Sequence, residues 1–453
     1  MRLQDPKRFG SSQQSSLQHP DAPPYVPLYG MLDFVSPYDA TMCEILRGQG
    51  AIIIGKTNLD EFAMGSSNLH SHFGPALNAH NRGHVAGGSS GGSASSVASG
   101  ACLASVALLL TLFTSMSSYS RTLTHRFFFF CCSALGSDTG GSVRLPASYQ
   151  GIVGLKPTYG TFSRWGLVAY ASSLDTPGLL VEAVEDSELL FGLFDIHDPR
   201  DPTSVPSDIR TRHRKARPAY GGDGSLKGLR VGIPREYLLP ELDDEVVDAW
   251  SLGIDLLADQ GAEIKAVSLP HTREGLPAYY VLATSEASSN LARYDGIRYG
   301  SRDLANLSAD FRATTRADGF GLEVQRRILM GTFSLSASNF ENYYIHAQKV
   351  RTRVRHDFDV AFGEVDVLLV PTARSSAPTL EAELGPSDDE HQGVKSFLND
   401  VFTVPSSLAG LPSISVPAGK CQQGLPLGLQ LIAPRFREDV LFLAGKILDS
   451  QNK

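Results

Sequence analysis

The sequence predicts an α/β fold, because short apolar runs typical of buried strands alternate along the chain with amphipathic helical segments. The chain has 453 residues, of which 42% are hydrophobic, enough to bury a large core in one big domain or two smaller ones. The predicted strands cover 51–54, 229–233, 365–370, 413–416 and 427–432. One helix is predicted to start within residues 58–64. Further helices are predicted over 93–103, 243–260 and 323–357.

Local chemistry justifies these elements in turn. The run Ala-Ile-Ile-Ile at 51–54 is rich in β-branched residues and favours a buried strand. Asp60 and Glu61 would then stand in the favoured first turn of a helix. Residues 93–103 are small and alanine-rich, which predicts a close-packed helix, and residues 137–181 are punctuated by glycine, which predicts strands and loops.

Composition excludes several classes of protein. The net charge of −8 and the isoelectric point of 5.8 argue against a chain that grips nucleic acid alone, so contact with RNA would need a partner. The five cysteines form no CxxC pair and indicate neither a metal site nor a disulfide framework. The strongly apolar stretch at 101–113 is thirteen residues long, shorter than the roughly 20 that a membrane helix needs, so no membrane association is expected.

Two motifs match known patterns only formally. Residues 50–57, GAIIIGKT, fit the phosphate-binding GxxxxGK[ST] pattern, but β-branched residues would have to form its cradle, and a strand followed by a structural Lys56 is favoured. The GGSSGG run satisfies the GxSxG nucleophile elbow on Ser89 or Ser90, although no convincing strand precedes it.

Three long glycine- and serine-rich motifs occur in order: GGSSGGSAS at 87–95, GSDTGGSVRLPAS at 136–148 and GIVGLKPTYG at 151–160. Together they resemble the amidase signature family. The resemblance implies an amidase signature domain over 31–453, with a mixed, twisted β-sheet core flanked by α-helices on both faces. Residues 1–30 are polar and form a poorly defined N-terminal segment. Asp138 and Arg144 flank the loop of the second motif, and a structural ion pair is the favoured interpretation.

The resemblance also assigns catalytic roles. It implies that Ser142 is the nucleophile and that Ser89, held by a cis peptide bond, relays its proton to a lysine. A serine hydroxyl is a weak nucleophile and needs such a base. The backbone N–H groups of Thr139, Gly140 and Gly141 are unshielded by side chains and are suited to an oxyanion hole.

Further segments narrow the resemblance to the glutaminase subunits of glutamyl-tRNA(Gln) amidotransferases; they lie at 285–300, 323–337, 347–358 and 397–417. That resemblance implies that Arg327 and Asp400 hold the carboxylate and ammonium of glutamine and that Tyr279 lines the pocket. It implies the amidotransferase's B subunit and its small third subunit as partners, with Glu-tRNA(Gln) reached through the complex. The chain itself would need no cofactor, whereas the partner would use ATP and Mg²⁺. A general small-amide hydrolase and a catalytically dead subunit remain alternatives.

The chain departs from the family pattern in two places. The family's lysine lies in an Ile-Lys-Asp-Asn stretch that occurs nowhere in this sequence, so Ser89 is expected to lack its base. Residues 105–133 form an atypical insert between Ser89 and Ser142, and a real insert is expected to separate the two serines. The run FFFFCCS suggests a translated intron with a pyrimidine tract. An intron-bearing gene would be eukaryotic, and the enzyme would then be expected in the mitochondrion, although no targeting peptide is visible.

Overall fold

A mixed β-sheet of eight strands organises the protein. The computed structural model describes residues 36–101, 107–108, 129–130, 133–218, 220, 224–298, 311–384 and 398–452. The predicted N-terminal segment 1–30 lies outside the described residues, and so does most of the 105–133 insert. The ten strands in the described part are β1 (Ala107–Leu108), β2 (Phe129–Phe130), β3 (Ser133–Asp138), β4 (Val153–Lys156), β5 (Thr176–Val181), β6 (Arg230–Pro234), β7 (Glu263–Val267), β8 (Val367–Pro371), β9 (Ser413–Lys420) and β10 (Pro426–Ile432).

The α-helices in the same residues number thirteen: α1 (Thr41–Gly48), α2 (Gly91–Ala98), α3 (Arg144–Gln150), α4 (Val184–Phe194), α5 (Ser207–Lys215), α6 (Asp244–Asp259), α7 (Thr272–Asn290), α8 (Phe311–Gly319), α9 (Leu322–Leu335), α10 (His346–Glu364), α11 (Leu380–Leu384), α12 (Val404–Ala409) and α13 (Glu438–Asp449). Among the described helices, none combines the length and apolar character needed to cross a membrane.

The strand order of the sheet is β3-β5-β4-β9-β10-β8-β6-β7. Neighbouring strands are antiparallel from β3 to β8, whereas β6 pairs in parallel with both β8 and β7. The predicted mixed sheet is therefore confirmed. Strands β1 and β2 form a separate antiparallel pair inside the 105–133 segment.

Helices cover both faces of this sheet. Successive residues of a strand point to opposite faces. On β10, Gly428 lies against Ser148 of α3, while the next residue, Leu429, reaches Gly253 of α6. All residues of β8 and β10 are buried, as expected for central strands covered on both sides.

Most late elements match the sequence prediction, but the earliest ones differ. Residues 51–54 belong to no strand, and Ile52 and Ile54 are 58% and 52% exposed, so the predicted buried strand is wrong. The helix predicted to start at Asn58 is only a 3-10 turn, Glu61–Ala63, because Phe62 and Ala63 adopt left-handed backbone conformations. The helix predicted over 93–103 begins and ends earlier, at Gly91–Ala98.

Candidate active site

The two serine loops of the motifs lie side by side. The backbone N–H of Ser90 donates to the carbonyl oxygen of Ser142 at 3.1 Å, and the Ser93 hydroxyl donates to the Leu135 carbonyl at 2.9 Å. Ser89 and Ser142 are 53 positions apart in sequence. The intervening insert therefore does not separate the two loops, contrary to the sequence-based expectation, because α2, which follows the first loop, packs against β3, which precedes the second.

Ser89 is held by a network of buried backbone and side-chain groups. The peptide bond between Gly88 and Ser89 is cis, as the family resemblance implied. The Ser89 carbonyl accepts hydrogen bonds from the side-chain amide of Asn68 at 2.9 Å and from the backbone N–H of Asp60 at 3.2 Å. Burial raises the pKa of Asp60 to about 6. The Ser89 hydroxyl is fully buried and has no hydrogen-bond partner among the described residues.

Ser142 lies on the turn that leads from β3 into α3. Its side chain is nearly buried, at 8% exposure. Within the described part of the chain, no acceptor takes the backbone N–H groups of Thr139, Gly140 or Gly141. The Thr139 hydroxyl donates to Asp175 at 2.8 Å, which fixes the start of the turn. These N–H groups are therefore available to a substrate oxygen.

A buried ion pair stabilises the turn that carries Ser142. The Arg144 guanidinium lies 2.8 Å from the Asp138 carboxylate, and neither side chain is exposed. Arg144 also donates to the Thr403 carbonyl and to the side chains of Ser406, Ser407 and Gln430. Burial alone would raise the pKa of Asp138, but the Arg144 charge holds it below its usual range. Because the guanidinium is fully engaged, the pair is structural, as favoured from the sequence.

Arg327 and Asp400 both contact Tyr280. The Arg327 guanidinium is 5.5 Å from the ring centroid of Tyr280, whose hydroxyl donates to Asp400 at 3.4 Å. Arg327 is oriented by Glu323 at 2.8 Å and by the Tyr170 hydroxyl at 2.9 Å. The structure thus brings together a cation and a carboxylate that are 73 positions apart in sequence.

Contacts with Gly140 join this pair to the serine turn. The Tyr279 ring packs on Gly140 so closely that a Cβ there would lie 2.6 Å from Tyr279 Cζ. The Thr403 hydroxyl donates to the Gly140 carbonyl at 2.6 Å, and its backbone N–H donates to the Asp400 carbonyl at 3.2 Å. These contacts join the two halves of the site.

Asp400 is held in an environment that disfavours its charge. Burial raises the pKa of Asp400 to about 7, although the hydrogen bond from the Ser66 hydroxyl at 2.6 Å and the nearby Arg327 both lower it. A positively charged group of a ligand would provide the partner that the ionised carboxylate needs.

Several residues that shape the site were not foreseen from the sequence: Ser66, Tyr170, Asp175, Tyr280 and Thr403. Each acts through a contact with a residue far away in the chain. The one available signal was adjacency, since Tyr280 follows Tyr279 and Thr403 follows Asp400 by three positions.

A serine beside unclaimed backbone N–H donors, in contact through Gly140 with the residues around a cation and a carboxylate, is an arrangement suited to nucleophilic acyl transfer. The chain belongs to the amidase family, whose family model, described as Amidase, matches residues 30–107 and 128–442. The interruption of this match falls inside the 105–133 insert.

Two similar proteins and one solved structure indicate which members of the amidase family this chain resembles. The chain is 46% identical to the A subunit of glutamyl-tRNA(Gln) amidotransferase from Afipia carboxidovorans over 425 residues, which cover 92% of this chain and 78% of that protein. It is 47% identical to the corresponding protein of Parvibaculum lavamentivorans over 422 residues, with the same coverage of 92% and 78%. The crystal structure of the corresponding protein of Thermotoga maritima matches with a TM-score of 0.67 and 34% identity, covering 92% of this chain and 76% of that one.

Proposed function

We propose that the chain is the glutaminase subunit of a tRNA-dependent amidotransferase. In this proposal it hydrolyses glutamine and supplies the ammonia that converts Glu-tRNA(Gln) to Gln-tRNA(Gln). The observation that carries the proposal is the pair Arg327 and Asp400 beside the serine turn, because an amino-acid zwitterion needs one cation and one anion. The relatives named as subunits of glutamyl-tRNA(Gln) amidotransferase support the same assignment.

The geometry supports the following chemistry. Arg327 binds the glutamine carboxylate and Asp400 binds its ammonium, which directs the side-chain amide toward Ser142. The Ser142 oxygen attacks the amide carbon, and the developing oxyanion accepts hydrogen bonds from the N–H groups of 139–141. Each such donor contributes about 3 kcal/mol to lowering the barrier. Collapse of the intermediate breaks the carbon–nitrogen bond, and the proton taken from the Ser142 hydroxyl passes to the departing nitrogen, which leaves as ammonia. Water then attacks the remaining acyl-serine ester, releases glutamate and restores the Ser142 hydroxyl.

Turnover requires a base that accepts the proton of the Ser142 hydroxyl. In the proposal, Ser89 relays the proton to a base, and no described residue forms a hydrogen bond with the Ser89 hydroxyl. This observation favours a second candidate function, a subunit that binds glutamine without hydrolysing it. A general small-amide hydrolase is a weaker candidate, because the charged pair suits an amino acid and not a neutral amide.

The remaining proposals concern the partner proteins of the chain and its cellular location. We propose that it works with the amidotransferase's B subunit and its small third subunit, and that the partner uses ATP and Mg²⁺ to activate Glu-tRNA(Gln). The relatives' designation as subunits supports a multisubunit enzyme. In the described part of the chain, no group of three or more His, Cys, Asp or Glu side chains is arranged to hold a metal ion. The mitochondrial location is proposed from the intron interpretation of 105–133.

Acid-quench mass spectrometry with glutamine tests the function. The chain is assayed alone and with its partner subunits, beside a Ser142→Ala variant and a control variant, Ser99→Ala, that changes an exposed hydroxyl. A glutamyl adduct on Ser142 and ammonia release, both lost only in Ser142→Ala, are expected. Glutamine binding without adduct would assign the chain to the non-hydrolytic candidate. Cleavage of unrelated amides by the lone chain would refute glutamine specificity.

A further inference from the structure

Ser66 contacts both halves of the candidate site. Its hydroxyl donates a hydrogen bond to Asp400 Oδ2 at 2.6 Å, and its backbone carbonyl accepts one from the Gly88 N–H at 2.7 Å. Ser66 and Asp400 are 334 positions apart in sequence, and Gly88 directly precedes Ser89. One residue therefore touches the carboxylate assigned to the substrate ammonium and also the loop that carries the relay serine.

The loop that carries Ser66 is fixed by the carboxylate of Asp60. Its two oxygens accept hydrogen bonds from the backbone N–H groups of Asn68 at 3.0 Å and His70 at 2.9 Å. On the other side of Ser66, a Cβ at Gly65 would lie 2.3 Å from Asp60 Cγ, so the backbone passes directly beside the carboxylate. Asp60 is fully buried, and these contacts leave the loop little freedom. The fold therefore sets the position of the Ser66 hydroxyl.

The two oxygens of the Asp400 carboxylate have different surroundings. The hydroxyls of Ser66 and Tyr280 both donate to Oδ2, at 2.6 Å and 3.4 Å. Among the described residues, none donates a hydrogen bond to Oδ1. The 2.6 Å distance is typical of a hydroxyl that donates to an ionised carboxylate, whereas 3.4 Å indicates a weaker bond. The Ser66 hydroxyl therefore fixes the rotation of the carboxylate and leaves Oδ1 for a donor on the ligand.

The charged and titratable groups that face Asp400 come from β3, α3, α7 and α9. In the described part of the chain they are Asp138, Arg144, Tyr149, Tyr279, Tyr280 and Arg327. Arg144 is already paired with Asp138, and Arg327 is assigned to the substrate carboxylate. Burial raises the pKa of Asp400 to about 7, and the Ser66 hydroxyl lowers that pKa more than any of these groups does. Ser66 is thus the main support of the ionised carboxylate.

We propose that Ser66 is a positioning residue that makes the site selective for amides carrying a free ammonium group. Its hydroxyl holds Oδ2 of Asp400 so that Oδ1 meets the ammonium of the substrate. An amide that lacks this ammonium gains nothing from the contact. The inference rests on the proposed function, because glutamine carries the ammonium in question. It adds the residue that distinguishes glutamine from amides without an amino group.

The test measures the affinity of the full chain for two ligands between pH 6 and pH 9 by isothermal titration calorimetry. The ligands are L-glutamine and glutaric acid monoamide, which is glutamine without its amino group. All chains carry Ser142→Ala, which prevents hydrolysis during the titration, and the chain with this change alone is the parent. Ser66→Ala removes the hydroxyl but keeps the backbone carbonyl that binds Gly88. The matched control, Ser67→Ala, removes the neighbouring hydroxyl, which donates to a different carboxylate, Glu383, at 2.9 Å.

Loss of the Ser66 hydroxyl is expected to move the midpoint of the glutamine profile upward from about pH 7 by about one pH unit, because the ionised Asp400 loses a hydrogen bond. The Kd for glutamine then rises about fivefold at pH 7 and changes less than about twofold at pH 9, where the carboxylate is ionised in both chains. The Kd for the monoamide is expected to stay within about twofold of the parent value at every pH. Ser67→Ala should match the parent, and Ser66→Thr, which keeps a hydroxyl, should restore its profile.

The outcomes separate this inference from the proposed function. If the parent chain does not bind glutamine, the proposed function fails. If the parent binds glutamine and Ser66→Ala leaves the profile unmoved, only the role of Ser66 is refuted. An equal loss of affinity at every pH, or an equal loss for the monoamide, would make Ser66 a purely structural residue and overturn the inference. Circular dichroism checks the fold, and Ser66→Cys, whose thiol is a weak donor, replaces Ser66→Ala if that variant is unfolded.

Discussion

Replacing Asp400 with asparagine is expected to abolish the pH dependence of glutamine binding between pH 6 and pH 8. Burial raises the pKa of the Asp400 carboxyl to about 7. Below that pH the carboxyl is protonated and neutral, so it cannot pair with the glutamine ammonium. Above that pH it is ionised and available. Glutamine affinity of the wild-type chain should therefore rise with pH across this window, whereas an asparagine, which does not titrate, should give a flat profile.

The size of the effect follows from the same pKa. With a pKa of about 7, roughly one tenth of the Asp400 carboxyls are ionised at pH 6 and roughly nine tenths at pH 8. If only the ionised form binds, the Kd for glutamine is about tenfold higher at pH 6 than at pH 8, which corresponds to about 1.4 kcal/mol. Isothermal titration calorimetry with L-glutamine at constant ionic strength measures this directly and needs no turnover.

A control variant separates the Asp400 effect from a general change in charge. Asp255→Asn removes an exposed carboxylate on α6 and should keep the tenfold change in Kd. A wild-type Kd that is constant from pH 6 to pH 8 would refute the assignment of Asp400 to the ammonium. So would an Asp400→Asn variant that retains the wild-type profile, because another group would then be responsible.

Two further predictions concern the ion pair and the glycine contact that hold the site in place. Arg144→Met is expected to lower the free energy of unfolding by about 3–5 kcal/mol in urea titrations, because it leaves the Asp138 carboxylate buried and unpaired. Adding Asp138→Asn should recover part of that loss, and a further loss would contradict the pairing. Gly140→Ala places a Cβ 2.6 Å from Tyr279 Cζ and should weaken glutamine binding about tenfold. Gly192→Ala, where nothing lies within 4 Å, is the calorimetric control and should leave the Kd unchanged.

The central strands could be predicted because their composition alone decides their burial. The VLLV run of β8 is apolar on both sides and the LGLQLI run of β10 is apolar except for Gln430, and only a strand covered on both faces satisfies such a pattern. The run at 51–54 has the same β-branched character but fails as a strand. A strand also needs a neighbour for its backbone hydrogen bonds, and a local composition does not show whether one is present.

Helix α3 was missed because proline and glycine normally signal loops. It follows Gly140 and Gly141 and contains Pro146. Pro146 is the third residue of the helix, where a backbone N–H has no partner within the helix, so its missing donor costs little. The Arg144 side chain, bonded across the fold to residues 403–407 and 430, then holds the helix start in place.

The candidate site was predictable only as far as its motifs reach. Ser142, Arg327 and Asp400 lie in recognisable segments, and the structure brings all three to one region. Tyr170 lies in no motif, and Thr403 lies in the segment 397–417 but was given no role there. Both act through contacts across the chain: Tyr170 with Arg327, and Thr403 with Gly140. Such contacts are properties of the fold, so the sequence could not show them.

In the proposed function, substrate recognition and serine activation are assigned to different parts of the chain. Tyr279, Arg327 and Asp400 come from α7, α9 and the 3-10 turn Leu398–Asp400, whereas Ser89 and Ser142 come from the two serine loops. Within the described residues, Gly140 joins the two parts through Tyr279 and Thr403, and neither contact involves the Ser89 hydroxyl. Loss of the base at Ser89 would therefore abolish turnover without removing the groups that are proposed to bind glutamine. Glutamine affinity, and not ammonia release, is consequently the property that tests whether the pocket is correctly assigned.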